Sequence, residues 1–334
     1  MKGACNFSRE LLKKTVPSMS FNGGDITAWQ KRSREKLIEL LGINKIEKCD
    51  PALQIEYTQK IDSATEIRFS IQSEEGYRVP CHLLLPDGVK NPPVMICLQG
   101  HSKGMHVSLD RTVYPGEEKA SLVGGDRDFA MRALREGFAA IACEQRNFGE
   151  CGGTANGPAC YEESMNALLM GRTTIGERVW DIMRLIDVLE SDFSDKTDIN
   201  CICIMGNSGG GTATAYTAAL DSRLVLAMPS CAVCSYKASI GAMNHCSCNY
   251  VPHIMEYFDM GDLICMAAPT AYIQVNGDAD PIFPIDGAKE VFIQGKKAYD
   301  ALGISDKIVH VIGKGDHRFF ADDSWPFVHK FTGR

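Results

Sequence analysis

The stretch "GNSGG", Gly206 to Gly210, sets one serine among small residues, between the apolar run "CICIM" and the Ala/Thr-rich "GGGTATAYTAAL". It satisfies G-x-S-x-G where a predicted buried strand runs into a predicted helix, the setting that pattern requires. A tight turn there lifts the Ser208 hydroxyl above a sheet, and Gly206 and Gly210 avoid clashes with the flanking strand and helix. The turn also opens a helix, whose free N–H groups and dipole favour developing negative charge. The chemistry these features suit is nucleophilic attack by Ser208 on a carbonyl. A phosphate cradle fits worse, since neither G-x-x-x-x-G-K-[ST] nor G-x-G-x-x-G is matched.

A serine hydroxyl is a weak nucleophile until a base takes its proton, so an acid and a histidine should follow it in the chain. His310, His317 and His329 lie in the final part. His310 sits inside the strand-like "IVHVIG" and His329 in a terminal amphipathic segment, whereas His317, in "GKGDHRFF", falls in the loop after the last strand. The acid should follow the preceding strand, "AYIQVNG". There "GDADPIFP" offers Asp280, with Asp278 as the local alternative; Asp316 reads as a turn residue. For the oxyanion, the expected backbone donors are Gly209, after the nucleophile, and His101, after Gly100 in "LQGHSKGM".

These residues need a sheet to hold them. "LQIEYTQKI", "TEIRFSIQS" and "YRVPCHLLLPDG" show the two-residue period of an antiparallel meander. From "PVMICLQ" onward, continuous apolar runs alternate with helical patterns, as in strands buried on both faces of a parallel sheet. The expected fold is α/β, a mostly parallel, doubly wound sheet of about eight strands with antiparallel leading strands and helices on both faces. Residues 25 to 42 read as a helix capped by Asp25 and stopped by Gly42, within an extension over residues 1–50 that packs on a main domain of residues 51–334. Connections 101–126, 145–175 and 231–267 are long and leave strand carboxyl ends, so they are expected to form pocket walls and a lid. Trp180, Tyr250 and Phe283 could be pocket walls or core.

The net charge of -7 and 45% hydrophobic content suit a large core and give no basic footprint for nucleic acid or anionic lipid. The first residues turn charged before an apolar signal region could form, and no run long enough to span a membrane occurs. The chain is therefore expected to be cytoplasmic, with a small-molecule partner and no membrane. Its fourteen cysteines read as mostly reduced thiols, several buried in apolar runs. Cys231, Cys234, Cys246 and Cys248, beside His245, have zinc-like types, but the second pair is too closely spaced for the usual knuckle; a packed thiol cluster and no metal are expected.

Ser208, Asp280 in a G-x-x-D-x-x-x-P frame (Gly277 to Pro284), and His317 resemble the α/β-hydrolases. The pattern is most similar to the acetyl xylan esterase and dienelactone-hydrolase-like branch, through "LQGHSKG", "ACEQRNFGE", "GERVWDIMRLIDVLES" and "HCSCNYVPHI". Asn147 stands where that branch usually has glycine, and Gln99 where many relatives have histidine. Dienelactone hydrolases proper use a cysteine nucleophile, so Ser208 points away from their activity. The resemblance implies a serine esterase that uses no cofactor and cleaves short-chain acyl esters, an acylated carbohydrate being one candidate, and by analogy a homo-oligomer. The alternatives are a peptidase of the prolyl-oligopeptidase type, for whose propeller domain there are no residues, and a non-catalytic binding protein on the same fold.

Overall fold

The computed structural model describes residues 3–334. One sheet of nine strands runs through it, in the order β1-β2-β3-β5-β4-β6-β7-β8-β9. The strands are β1 (Gln54–Ile61), β2 (Ala64–Glu74), β3 (Tyr77–Pro86), β4 (Pro93–Leu98), β5 (Ala139–Cys143), β6 (Asp198–Asn207), β7 (Leu224–Ser230), β8 (Ala271–Gly277) and β9 (Ile308–Gly313). The first three and β5 pair antiparallel, and every later pairing is parallel. The sheet has nine strands where about eight were expected, with the exposed edge strand β1 at the start of the meander.

The helices are α1 (Ala4–Lys14), α2 (Ile26–Leu41), α3 (Ala120–Val123), α4 (Phe129–Arg135), α5 (Cys160–Leu169), α6 (Thr174–Asp192), α7 (Gly209–Leu220), α8 (Ile254–Tyr257), α9 (Met260–Ala267), α10 (Ile285–Ala301) and α11 (Ala321–Thr332). Alternate residues of the central strands feed two cores. Ile96, Leu98, Ile202 and Ile204 face α2, α6, α7 and α9. Met95, Cys97, Cys203 and Met205 face α4 and α11. That division follows from the two-residue period of a strand and explains why these runs are apolar throughout.

Asp25 caps α2 by accepting from the Ala28 N–H at 3.0 Å, and Gly42 ends it at φ 74, in the left-handed region. Gln30 of α2 donates to the carbonyls of Cys265 and Ala268, so this helix is tied to the segment just before β8. The three long connections are not plain loops: α3, α5, α8 and α9 lie within them. Their short apolar patches carry too few turns to declare a helix by periodicity. No helix among the described residues is long and apolar enough to cross a membrane.

Candidate active site

The carboxyl ends of β4, β6, β8 and β9 deliver the predicted residues to one end of the sheet. Ser208 sits between β6 and α7 at φ 55, a conformation costly for a residue with a side chain and retained where surroundings enforce it. Its N–H donates to the Ser230 carbonyl at 2.8 Å, pinning the turn to the end of β7. The glycines make the turn possible. A Cβ on Gly210 would lie 2.2 Å from the Leu98 carbonyl oxygen, and one on Gly206 would lie 2.5 Å from the backbone of Gly210. Gly100 is equally restricted, 2.7 Å from the Asn207 oxygen, so the loop after β4 rests directly on the serine turn.

Asp280 and His317 follow neighbouring strands, and the loops that carry them are stitched together. The Asp278 N–H donates to the Gly313 carbonyl at 2.9 Å, and its carboxylate accepts from the Gly315 N–H at 2.9 Å. Asp278 is thus a turn fastener, which leaves Asp280 to reach the histidine. His317 Nδ1 lies 2.8 Å from Asp280 Oδ2, while Asp280 Oδ1 accepts from the N–H groups of Ile282 and Phe283. Burial alone would raise the Asp280 pKa; the hydrogen bond and charge of His317, with those two N–H groups, bring it below the ordinary aspartate value. With Nδ1–H engaged by the carboxylate, Nε2 keeps its lone pair for a proton. Phe283 stacks on the His317 ring at 5.8 Å and 18°, so of the three aromatic residues in question it is the one that holds that imidazole. Trp180 instead donates to the Ser73 carbonyl, and Tyr250 to that of Ile240.

Ser208 and His317 line one cleft of about 260 Å³, with Gly100, His101, Arg127, Ile282 and Arg318 on its walls. No hydrogen bond joins the Ser208 hydroxyl to His317 among the described residues, a looseness common before substrate binds. The backbone N–H groups of Gly209 and His101 are likewise unengaged by the chain among the described residues, as donors reserved for a ligand must be. His310 and His329 lie elsewhere: the first bonds Asn276 inside the sheet and is pushed down to about 4 by burial, and the second bonds Glu136.

Two residues that depart from the resemblance are accommodated. Asn147 adopts φ 70, which asparagine tolerates better than most residues, and its amide donates to Glu163 at 2.7 Å. Gln99 donates to the Arg127 carbonyl at 2.7 Å, holding the strand of loop that brings Arg127 to the cleft.

The four cysteines expected to cluster do not. Cys231 lies against Asp280 and His317, its thiol pushed up to about 12 by burial and by the carboxylate, and Cys234 bonds the Pro284 carbonyl beside Phe283. Only Cys246 and Cys248 stay together, and they meet Cys160 and His101 instead. The connection 231–267 folds back on itself between the two pairs, so closeness in sequence misled. Nothing in the sequence ties Cys160 to them.

Among solved structures, a Bacteroides fragilis NCTC 9343 protein assigned as an acetyl xylan esterase superposes with a TM-score of 0.79 at 16% identity, covering 98% of this chain and 84% of that one. The glucuronoyl esterase from Solibacter usitatus superposes at 0.68 and 15% identity, covering 96% and 97%. Identities this low establish the α/β-hydrolase fold and no more. In sequence, YtaP of Bacillus subtilis (strain 168), which bears the name of a hydrolase, is 25% identical over 236 residues, 69% of this chain and 74% of that protein. The model of the Abhydrolase family matches residues 4–171, from α1 through the loop after β4 to α5. With half the chain matched and the fold of that family around the serine turn, the chain belongs to the Abhydrolase family.

Proposed function

We propose that this protein is a serine carboxylic ester hydrolase that cleaves short-chain acyl esters through an acyl-enzyme intermediate. The observation that carries the reading is the Ser208 turn at φ 55 facing the same cleft as the His317–Asp280 pair. In this scheme His317 Nε2 takes the Ser208 proton as the hydroxyl attacks the ester carbonyl, and Asp280 holds the imidazole in the required tautomer. The N–H groups of Gly209 and His101 stabilise the oxyanion, the protonated His317 releases the alcohol, and water activated by His317 frees the acid. The esterase names of the structural neighbours support the ester class, with acetylated sugar as the candidate substrate.

Ser208→Ala should lower kcat on a short-chain nitrophenyl ester by at least about a thousandfold, with KM little changed. A fluorophosphonate probe should label the wild-type serine and not the variant. Wild-type rates in the alanine variant would remove the scheme, and faster turnover of prolyl or aminoacyl amides than of esters would favour the peptidase reading.

One observation favours a second substrate class. Arg127 lines the cleft and pairs with no carboxylate among the described residues, whereas Arg318 beside it is held by Asp126. A free guanidinium at the cleft suits an ester of an acidic sugar, whose carboxylate or ester oxygens it could bind. Arg127→Ala should then raise KM for uronate esters more than for acetylated neutral sugars.

A further inference from the structure

Beside the serine turn, three connections that share no strand or helix bring chemically matched atoms together. His101 leaves the end of β4, Cys160 opens α5, and Cys246 and Cys248 lie between β7 and α8. One nitrogen and three sulfurs from these residues lie within 4.8 Å of one another. His101 Nε2 is 3.1 Å from Cys248 Sγ, which is 3.4 Å from Cys246 Sγ. A tetrahedral zinc, bound at ~2.3 Å to sulfur and ~2.0 Å to nitrogen, sets its ligand atoms roughly 3.5 to 3.8 Å apart. The two closest spacings fall 0.1 to 0.4 Å short of that range and the rest stay within 4.8 Å, so the four atoms need move little to close around an ion.

Charge supplies an independent argument. Arg178 of α6 lies under the cluster, 1% exposed, with its guanidinium 4.3 Å from the centre of the Phe148 ring. It donates to Cys160 Sγ at 3.4 Å and to the Arg146 carbonyl, and no carboxylate pairs with it among the described residues. A buried cation without a counter-charge is costly. The neighbours that can ionise beside it are the thiols of Cys160 and Cys248. Three thiolates, a neutral imidazole and a divalent ion carry one net negative charge, which the guanidinium balances.

We propose that His101, Cys160, Cys246 and Cys248 form a structural zinc site that clasps the three connections around the cleft. Four protein ligands close the coordination shell, so the ion is a fastener and leaves no position for substrate. Binding displaces the thiol protons to solvent, and thiolates select zinc over magnesium or calcium. The clasp also accounts for Gly209, the glycine that G-x-S-x-G does not demand. A Cβ there would lie 2.7 Å from Cε1 and Nδ1 of His101, so the ring is wedged between the cluster and the start of α7. Fixing that ring fixes the backbone of His101. The consequence for the oxyanion rests on the esterase reading, whereas the metal content does not.

The full-length protein, produced with zinc supplied and purified without chelator, should carry about one zinc per chain by elemental analysis. Cys246→Ser and Cys248→Ser should each lower this below about a tenth, while Cys49→Ser, outside the cluster, should leave it unchanged. Because the cluster variants could fold poorly, wild-type protein is also stripped and reloaded with cobalt(II). The intense visible bands of a tetrahedral site and a thiolate-to-cobalt charge-transfer band are then expected. Less than about a tenth of a zinc per chain in the protein as purified, or no thiolate-to-cobalt band after reloading, overturns the proposal. So does a disulfide joining two of the three cysteines in freshly purified protein, or stoichiometric iron or copper in place of zinc. Activity on esters is a separate readout: an inactive protein with full zinc removes the esterase reading and leaves the clasp standing.

Discussion

The Asp280–His317 pair and the His101–Cys160–Cys246–Cys248 cluster flank the same serine turn, yet they are assembled by opposite means. Asp280 and His317 each sit a few residues beyond a strand, and β8 and β9 are neighbours in register from Tyr272–Ile308 to Gly277–Gly313. Parallel pairing alone therefore brings their loops together, with the Asp278–Gly315 hydrogen bond fastening them. The cluster draws on three long connections with no such register. Buried polar contacts order the first two: Glu144 accepts from the N–H groups of Met105 and Glu150, and Arg146 bridges Glu74, Glu177 and Asp181. Sites built on strand ends inherit their geometry from the sheet, while sites built on loops depend on local fasteners.

The contrast can be broken at three points. The largest effect is expected on the strand-end side, from Asp280→Asn. That change keeps the shape but supports the wrong His317 tautomer, and kcat on a short-chain ester should fall by about 10³ to 10⁴ with the fold intact by circular dichroism. A loss of less than tenfold would mean that another group orients the base.

On the loop side, burial raises the Glu144 carboxyl to about 7, so the folded chain binds a proton there that the unfolded chain releases near 4.5. Its contribution to stability is therefore full below the unfolded value and is lost as pH rises towards about 7. At about 1.4 kcal/mol per unit, the loss approaches roughly 3 kcal/mol. Urea unfolding of wild type and Glu144→Gln should show the wild type losing stability relative to the variant between about pH 5 and pH 8. A constant difference across that window would show that Glu144 is already ionised in the fold.

The smallest effect is expected where the two regions touch. Gly209→Ala should push the His101 ring aside at a cost of about 1 to 2 kcal/mol, lowering kcat about tenfold. Zinc content should fall in the same variant. A drop in activity with undiminished zinc would separate the two regions, and their contact at Gly209 would then be steric only.

Legibility in the sequence divides along the same line. The central strands could be read because runs such as "CICIM" and "AYIQV" are buried on both faces, and the helix from Asp25 to Gly42 because both of its caps are explicit residues. Ser208 and His317 were legible from their positions after strands, and Asp280 over Asp278 only as a preference. α5, α8 and α9 were not, since their segments are too short for a helical period to stand out, although α8 and α9 bury their apolar residues in the main core. The pairing of Cys231 and Cys234 with Cys246 and Cys248 was misread, because spacing within a long connection says nothing about how it folds back.

The sheet, the elbow at Gly206 to Gly210 and the chain order of Ser208, Asp280 and His317 are written in the sequence alone, because strand burial, glycine at crowded backbone positions and turn chemistry are local. It took the packed fold to show that Asp278 fastens a turn while Asp280 meets His317, that Phe283 stacks on His317, and that Cys160 joins His101 over a buried Arg178. Those outcomes depend on which side chains from distant segments share one small volume, and only the packing of the whole chain brings them there.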